Sequence, residues 1–362
     1  MIYIIRFSLI ENLVLNSSSS TAKTDISLGI DLTRVFLYGL QQLQPEIIPS
    51  FSYQWITVVS NTSLLQFIKH TQDSILEEEY KNLILAYLRF LHHFVTLEII
   101  PDSIDYHIKV LTSFLLEIRT IWPAFLSKNY GDFCILIPVR FIQLHNIITS
   151  AEPVGIKQFK PNEAINDEMN RCLKQPTQDY WDTSSILAPL ELDSVFKQAL
   201  ETNDTSILKE LAALSRKHVL SPEYFALLYE IPFALFMKFG FSEKEHTFPV
   251  DYFCDLTKYF IKANLYLPLH DTLLSILDHV RYPSTDTYSY CMLMKTLMKR
   301  EAKDAVITTI CERLLVPGPK SWGLHFLFIQ LVNSEKENIK ELKCYKTNLA
   351  IQNLVEEYLT KK

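Results

Sequence analysis

Scarcity of glycine constrains this chain more than any other feature. Seven glycines serve 362 residues, whereas hairpins and doubly wound sheets draw on glycine wherever the backbone needs positive φ. Helices suit such a sequence, and the apolar residues fall at helical spacing. Between Lys81 and Leu97, Ile84, Tyr87, Leu88, Leu91 and Val95 share one face, and Arg89, His92, His93 and Thr96 lie on the other. The next stretch opens on Asp102 as an N-cap, with Asp105 three residues on. It carries Ile108, Leu111, Leu115 and Ile118, and stops at Trp122-Pro123. Two helices with a short link make an antiparallel hairpin. The same punctuation recurs at Ser221-Pro222-Glu223 and near Pro283-Ser284.

This reading predicts helices over 30–45, 51–70, 75–97, 103–121, 138–150, 191–201, 206–216, 222–240, 250–263, 267–281, 285–300, 302–315, 320–333 and 348–360. A succession of helix pairs with short links and no strict repeat is the pattern of an α-solenoid, so the expected fold class is all-α. Residues 1–28, which include the polar spacer NSSSSTAKTDIS, are expected to be poorly ordered. Residues 29–152 form a first helical half and 191–362 a second. Between them, 153–190 reads as an irregular connection, because PVGIKQFKPNEAINDEMNRCLKQPTQDYWD mixes proline and scattered charge with little apolar periodicity.

A hydrophobic fraction of 48% can fill a substantial core. Lys and Arg total 35 against 41 for Asp and Glu, so no global basic field is available to hold nucleic acid. The six cysteines lie far apart, without C-x-x-C pairs or zinc-type spacing, and read as reduced thiols of a reducing compartment. The apolar start MIYIIRFSLI lacks a charged n-region and is interrupted by Arg6 and Glu11, unlike a signal peptide. No window approaches the ~20 apolar residues of a membrane span, so no membrane partner is expected.

A search for chemistry finds none. His92 and His93 are adjacent, so on a helix their side chains diverge, as on a solvated face. The sequence has no H-E-x-x-H, G-x-S-x-G or P-loop motif, and GPKS at Gly318–Ser321 lacks both the upstream glycine and the preceding strand of a phosphate loop. Glu77, Glu78 and Glu79 fit the first turn of a helix, where carboxylates suit the macrodipole. Tyr288 and Tyr290 come without interleaved basic residues and read as core or partner-facing aromatics. No catalytic residue, cofactor, metal site or small-molecule substrate is expected, which leaves binding.

The segment GDFCILIPVRFIQLHNIITSAEP, 131–153, resembles a motif of the C-terminal domain of the largest Not subunit, the scaffold of the Ccr-Not deadenylase complex. The positions that match are Phe133, Cys134, Ile137, Pro138, Ile142, Gln143, Leu144, Asn146, Ile147, Ile148, Ser150, Ala151 and Pro153. QWITVVSN (54–61), Phe159 with Pro161 and Asn162, VRYPSTDTYSYCMLM (280–294) and CERLLVPGPKSWGLHFLFIQLVNS (311–334) are similar to further segments in the same order. The sequence departs from the family at His145 in place of arginine, Asp286 in place of histidine, and Lys320-Ser321 in place of His-Pro. These are expected to be polar, partly exposed positions where a partner surface is remodelled.

The resemblance implies HEAT-like helical pairs that hold two NOT-box subunits, other Ccr-Not subunits being reached indirectly and RNA at most through the assembled module. It implies service to messenger-RNA deadenylation, decay and translational repression in the cytoplasm and also the nucleus. It implies too that the scaffold's upstream parts, including the domain that docks the deadenylase nuclease, lie outside this sequence. The residues expected at a partner surface are Ile142, Gln143, Arg281, Tyr282, Pro283, Trp322 and Gly323; the last five also suit a role in fixing a helix boundary. The alternative is an unrelated α-solenoid adaptor for other peptides. An all-helical enzyme would require ionisable side chains to converge in a deep apolar pocket.

Overall fold

A computed structural model describes residues 22–95, 102–157, 159–163, 166–175, 248–300 and 302–360, with the single residues 198 and 213. Among them all regular structure is helical. The chain divides into two compact units, Met1–Pro138 and Val139–Lys362. Apart from residues 198 and 213, the helices expected over 191–201, 206–216 and 222–240, and the cap at Ser221, lie outside the described residues.

The first unit holds α1 (Ala22–Gln42), α2 (Ser52–Val59), α3 (Thr62–Thr71), α4 (Ser74–Val95), α5 (Asp102–Ile121), α6 (Pro123–Lys128) and α7 (Tyr130–Leu136). Helix α1 begins inside the polar stretch expected to lack order. The single helix expected over 51–70 is two, because Asn61 turns the chain into extended backbone and its side chain accepts the Ser63 and Leu64 N–H groups at 2.9 and 3.2 Å. Helix α4 packs on α1 and α7 and carries the unit's core: Ile84, Tyr87, Leu88 and Leu91 are all buried, as the periodicity requires. Aromatic side chains fill the rest, and the polar ends of Trp55, Tyr80 and Tyr87 are hydrogen-bonded. Trp55 Nε1 donates to Leu40 O at 2.9 Å, Tyr80 to Val59 O at 2.9 Å, and Tyr87 shares a 2.8 Å bond with His107. His92 is half-buried, and its Nδ1 lies 2.9 Å from Leu136 O, so this histidine fastens α4 to the end of α7 instead of facing water. Glu77 stands in the first turn of α4 and reaches Lys128 at 2.7 Å; Glu78 reaches Lys81 at 2.7 Å.

The second unit comprises α8 (Ile142–Thr149), α9 (Asp167–Cys172), α10 (Phe248–Lys262), α11 (Tyr266–Asp278), α12 (Thr285–Lys299), α13 (Lys303–Leu315), α14 (Trp322–Ser334), α15 (Lys336–Glu341), α16 (Lys343–Thr347) and α17 (Leu349–Thr360). Helix α13 is central, packing against α8, α11, α12, α14, α16 and α17. Its sequence explains this, since Val306, Ile307, Ile310, Cys311 and Leu314 are all buried and Thr309 bonds back to Ala305 O. The link from α10 to α11 is tight because Asn264 takes φ 56°; Asn264 and Leu265 then return N–H groups to Ile261 and Phe260. The described part of the connection after Pro153 is anchored. Phe159 and Met169 are buried in the unit's core, Asn166 caps α9, and Gln175 O accepts both the backbone N–H and the hydroxyl of Thr285. No helix among the described residues is long and apolar enough to cross a membrane.

Candidate functional site

The sequence directs attention to two segments of the second unit, and the fold brings them together. Helix α11 ends at Asp278, and the link to α12 runs through Arg281, Tyr282 and Pro283 to Ser284, which caps Thr287 N at 3.3 Å. Helix α13 ends where Pro317 stops the hydrogen-bond ladder and Gly318 takes φ 111°; Ser321 then caps α14 at Leu324 N, 3.2 Å away. Two hydrogen bonds join the links. Ser321 Oγ donates to Val280 O at 2.6 Å, and Gly323 N–H donates to Arg281 O at 2.6 Å. Only glycine fits there, because a Cβ on residue 323 would stand 2.7 Å from Arg281 O and 2.9 Å from the Val280 carbonyl carbon.

Arg281, Tyr282, Pro283, Trp322 and Gly323 are all buried. The Arg281 guanidinium sits over the Tyr282 ring at 5.0 Å, and Trp322 stacks on Phe326 at 4.8 Å. Their surfaces are used largely within the unit, so these five build the joint, the boundary-fixing role that the sequence also suggested for them. Ile142 and Gln143 are half-buried at the start of α8, and Gln143 lies against Gly318. Tyr290 is buried and Tyr288 half-buried against the core.

Sequence reasoning missed a polar network beneath the joint. Arg313 is 2% exposed, and its Nη1 donates to Asp278 Oδ1 at 2.6 Å and its Nε to Asn146 Oδ1 at 2.8 Å. Asn146 returns its amide to Arg313 O at 2.8 Å, and His145 Nδ1 meets Asp278 Oδ2 at 2.9 Å. These bonds lock α8, α11 and α13 together. Of the family departures, His145, Asp286 and Ser321 are buried, so they change internal packing, contrary to the partly exposed positions expected. Burial lowers the His279 pKa to about 3, so this ring stacks neutral on Tyr290, and burial pushes the Cys311 thiol up to about 12. The network is buried and holds these helices in place.

The same unit has an open cleft of about 520 Å³ along α11 and α13. Leu269, Ala302 and Leu342 give it apolar walls, and His270, Arg300 and Lys303 stand among its lining. The neighbouring carboxylates of Asp271 and Glu312 raise the His270 pKa to about 9, so it is a cation at neutral pH.

Comparison with known proteins decides the family. The profile of the family described as "CCR4-Not complex component, Not1" matches residues 14–224 and 249–359. The chain belongs to the Not1 family. Relatives include General negative regulator of transcription subunit 1 of Saccharomyces cerevisiae, 23% identical over 361 residues, which cover 91% of this chain and 17% of that protein. CCR4-NOT transcription complex subunit let-711 of Caenorhabditis elegans is 25% identical over 327 residues, which cover 82% of this chain and 12% of that protein. This Not1-family chain therefore spans less than a fifth of the length of those relatives. Among solved structures, "Not1 C-terminal domain in complex with Not4" has a TM-score of 0.75 at 21% identity, covering 97% of this chain and 75% of that one. The NOT1 superfamily homology domain from Chaetomium thermophilum also scores 0.75, at 16% identity, covering 99% and 74%. The fold is thus the HEAT-like all-α architecture of Not1 superfamily domains.

Proposed function

We propose that this chain is a non-enzymatic scaffold module that binds NOT-box subunits of the Ccr-Not complex. Through the assembled NOT module it supports deadenylation, decay and translational repression of messenger RNA. The observation that carries this reading is the family match, which runs through both compact units. Stacked helix pairs favour it, because the grooves between them accept extended or helical peptides without any catalytic group. A domain of the same fold has been solved in complex with Not4, which makes a Not4-like protein a suitable partner. In this reading Ile142 and Gln143 contribute to the contact surface, and the joint from Arg281 to Gly323 sets its shape. The chain works in the cytoplasm and also the nucleus, where its cysteines, none of them in a disulfide, stay reduced.

Co-expression with the NOT-box subunits of its own organism, followed by size-exclusion chromatography, tests the reading. The chain and a NOT-box subunit are expected to elute as one complex. Separate elution at micromolar concentrations would overturn the scaffold assignment.

A further inference from the structure

The cleft along α11 and α13 has features that select its occupant. Its volume of about 520 Å³ accommodates one or two large side chains. Leu269, Ala302 and Leu342 are core residues, no more than 8% exposed, so the walls are preformed. Among the lining, Tyr266 is 67% exposed and offers an aromatic ring at the surface for an occupant to cover.

Charge at the site is unevenly used. The neighbouring carboxylates are engaged internally: Asp304 accepts the Cys344 N–H at 2.8 Å, Glu312 takes His270 Nε2 at 2.5 Å, and Asp271 lies 3.7 Å from His270 Nδ1. Lys303 opens α13 at the positive end of the helix dipole, where a cation is disfavoured. It forms no ion pair with another described residue. A cation in that position, beside Arg300 and an apolar recess, is complementary to an incoming carboxylate.

We propose that this cleft receives an acidic segment of a partner protein, an aromatic or aliphatic side chain entering between Leu269 and Leu342 while a neighbouring carboxylate meets Lys303. The proposal rests on the scaffold reading and adds the surface used and the chemistry that uses it.

Titration calorimetry of the full chain with a NOT-box subunit tests it, comparing wild type with Lys303→Glu and Ala305→Trp. The first variant reverses the charge, and the second fills the recess. Each is expected to weaken binding at least tenfold, and raised salt should weaken the wild-type complex. Lys303→Glu places an acid in the first turn of α13, which suits the helix dipole; an unchanged melting temperature would show that lost binding is not lost folding. Wild-type affinity in either variant overturns the cleft proposal and leaves the scaffold reading standing. Failure of the wild-type chain itself to bind overturns both.

Discussion

Gly323 shows how much one residue can decide. A methyl group there would press on backbone from the link after α11, and backbone cannot rotate away as a flexible side chain can. Gly323→Ala is expected to cost about 2–3 kcal/mol and to lower the melting temperature by roughly 5–10 °C in a thermal scan. The Trp-Gly pair stood out in the sequence, but its burial against Arg281 O did not, since no local pattern says which loop a helix start will meet. Asp278 and Arg313 illustrate the same limit: both lie on helices that periodicity identifies, yet 35 residues separate them, and His145 is 133 residues from Asp278. Asp278→Ala leaves a buried guanidinium without its carboxylate and should cost about 3–5 kcal/mol. Urea denaturation would measure it, and adding Arg313→Met in the same chain should recover most of the loss, because two apolar side chains leave no uncompensated charge.

Helices were legible where an apolar stripe ran for several turns. Helices α4, α5, α12, α13 and α14 fall close to their expected spans, whereas α6, α7, α9, α15 and α16, each of five to seven residues, are too short for a 3.6-residue period to show. The break at Asn61 did have a signal, an amide side chain directly before Thr62-Ser63, but the unbroken apolar pattern on both sides hid it. Asn61→Ala should lose the cap of α3 and cost about 1 kcal/mol, seen as a lower denaturation midpoint with an unchanged slope. Contacts between helices also set a pH dependence. His270 on α11 bonds to Glu312 on α13, and its pKa rises from 6.5 to about 9. A raised histidine pKa contributes stability that is fully present below pH 6.5 and is lost as pH climbs through 9. After allowance for partial exposure, roughly 1–2 kcal/mol is at stake. Thermal melts at pH 6 and pH 9.5 should therefore differ in the wild type, and the difference should shrink in His270→Gln.

At the scale of the whole molecule, the six thiols give a measure of how the fold opens. None forms a disulfide; Cys134, Cys254, Cys291 and Cys311 are buried, the last three in the second unit. Cys172 and Cys344 are only partly covered, and burial pushes the Cys344 thiol up to about 11, so fewer of its molecules are thiolate at neutral pH. Pulse alkylation followed by peptide mass spectrometry is expected to modify Cys172 first and Cys344 more slowly. The four buried cysteines should react only as fast as their surroundings unfold. Cys254, Cys291 and Cys311 then report on the second unit. If the second unit is a cooperative body, its three buried thiols will share one rate across a denaturant series. Unequal rates among those three would mean that the helices around α13 open piecemeal, as in a repeat protein whose neighbouring pairs are weakly coupled. A binding surface spread over several pairs would then depend on its partner to hold it in register, and partner binding should slow all three rates together.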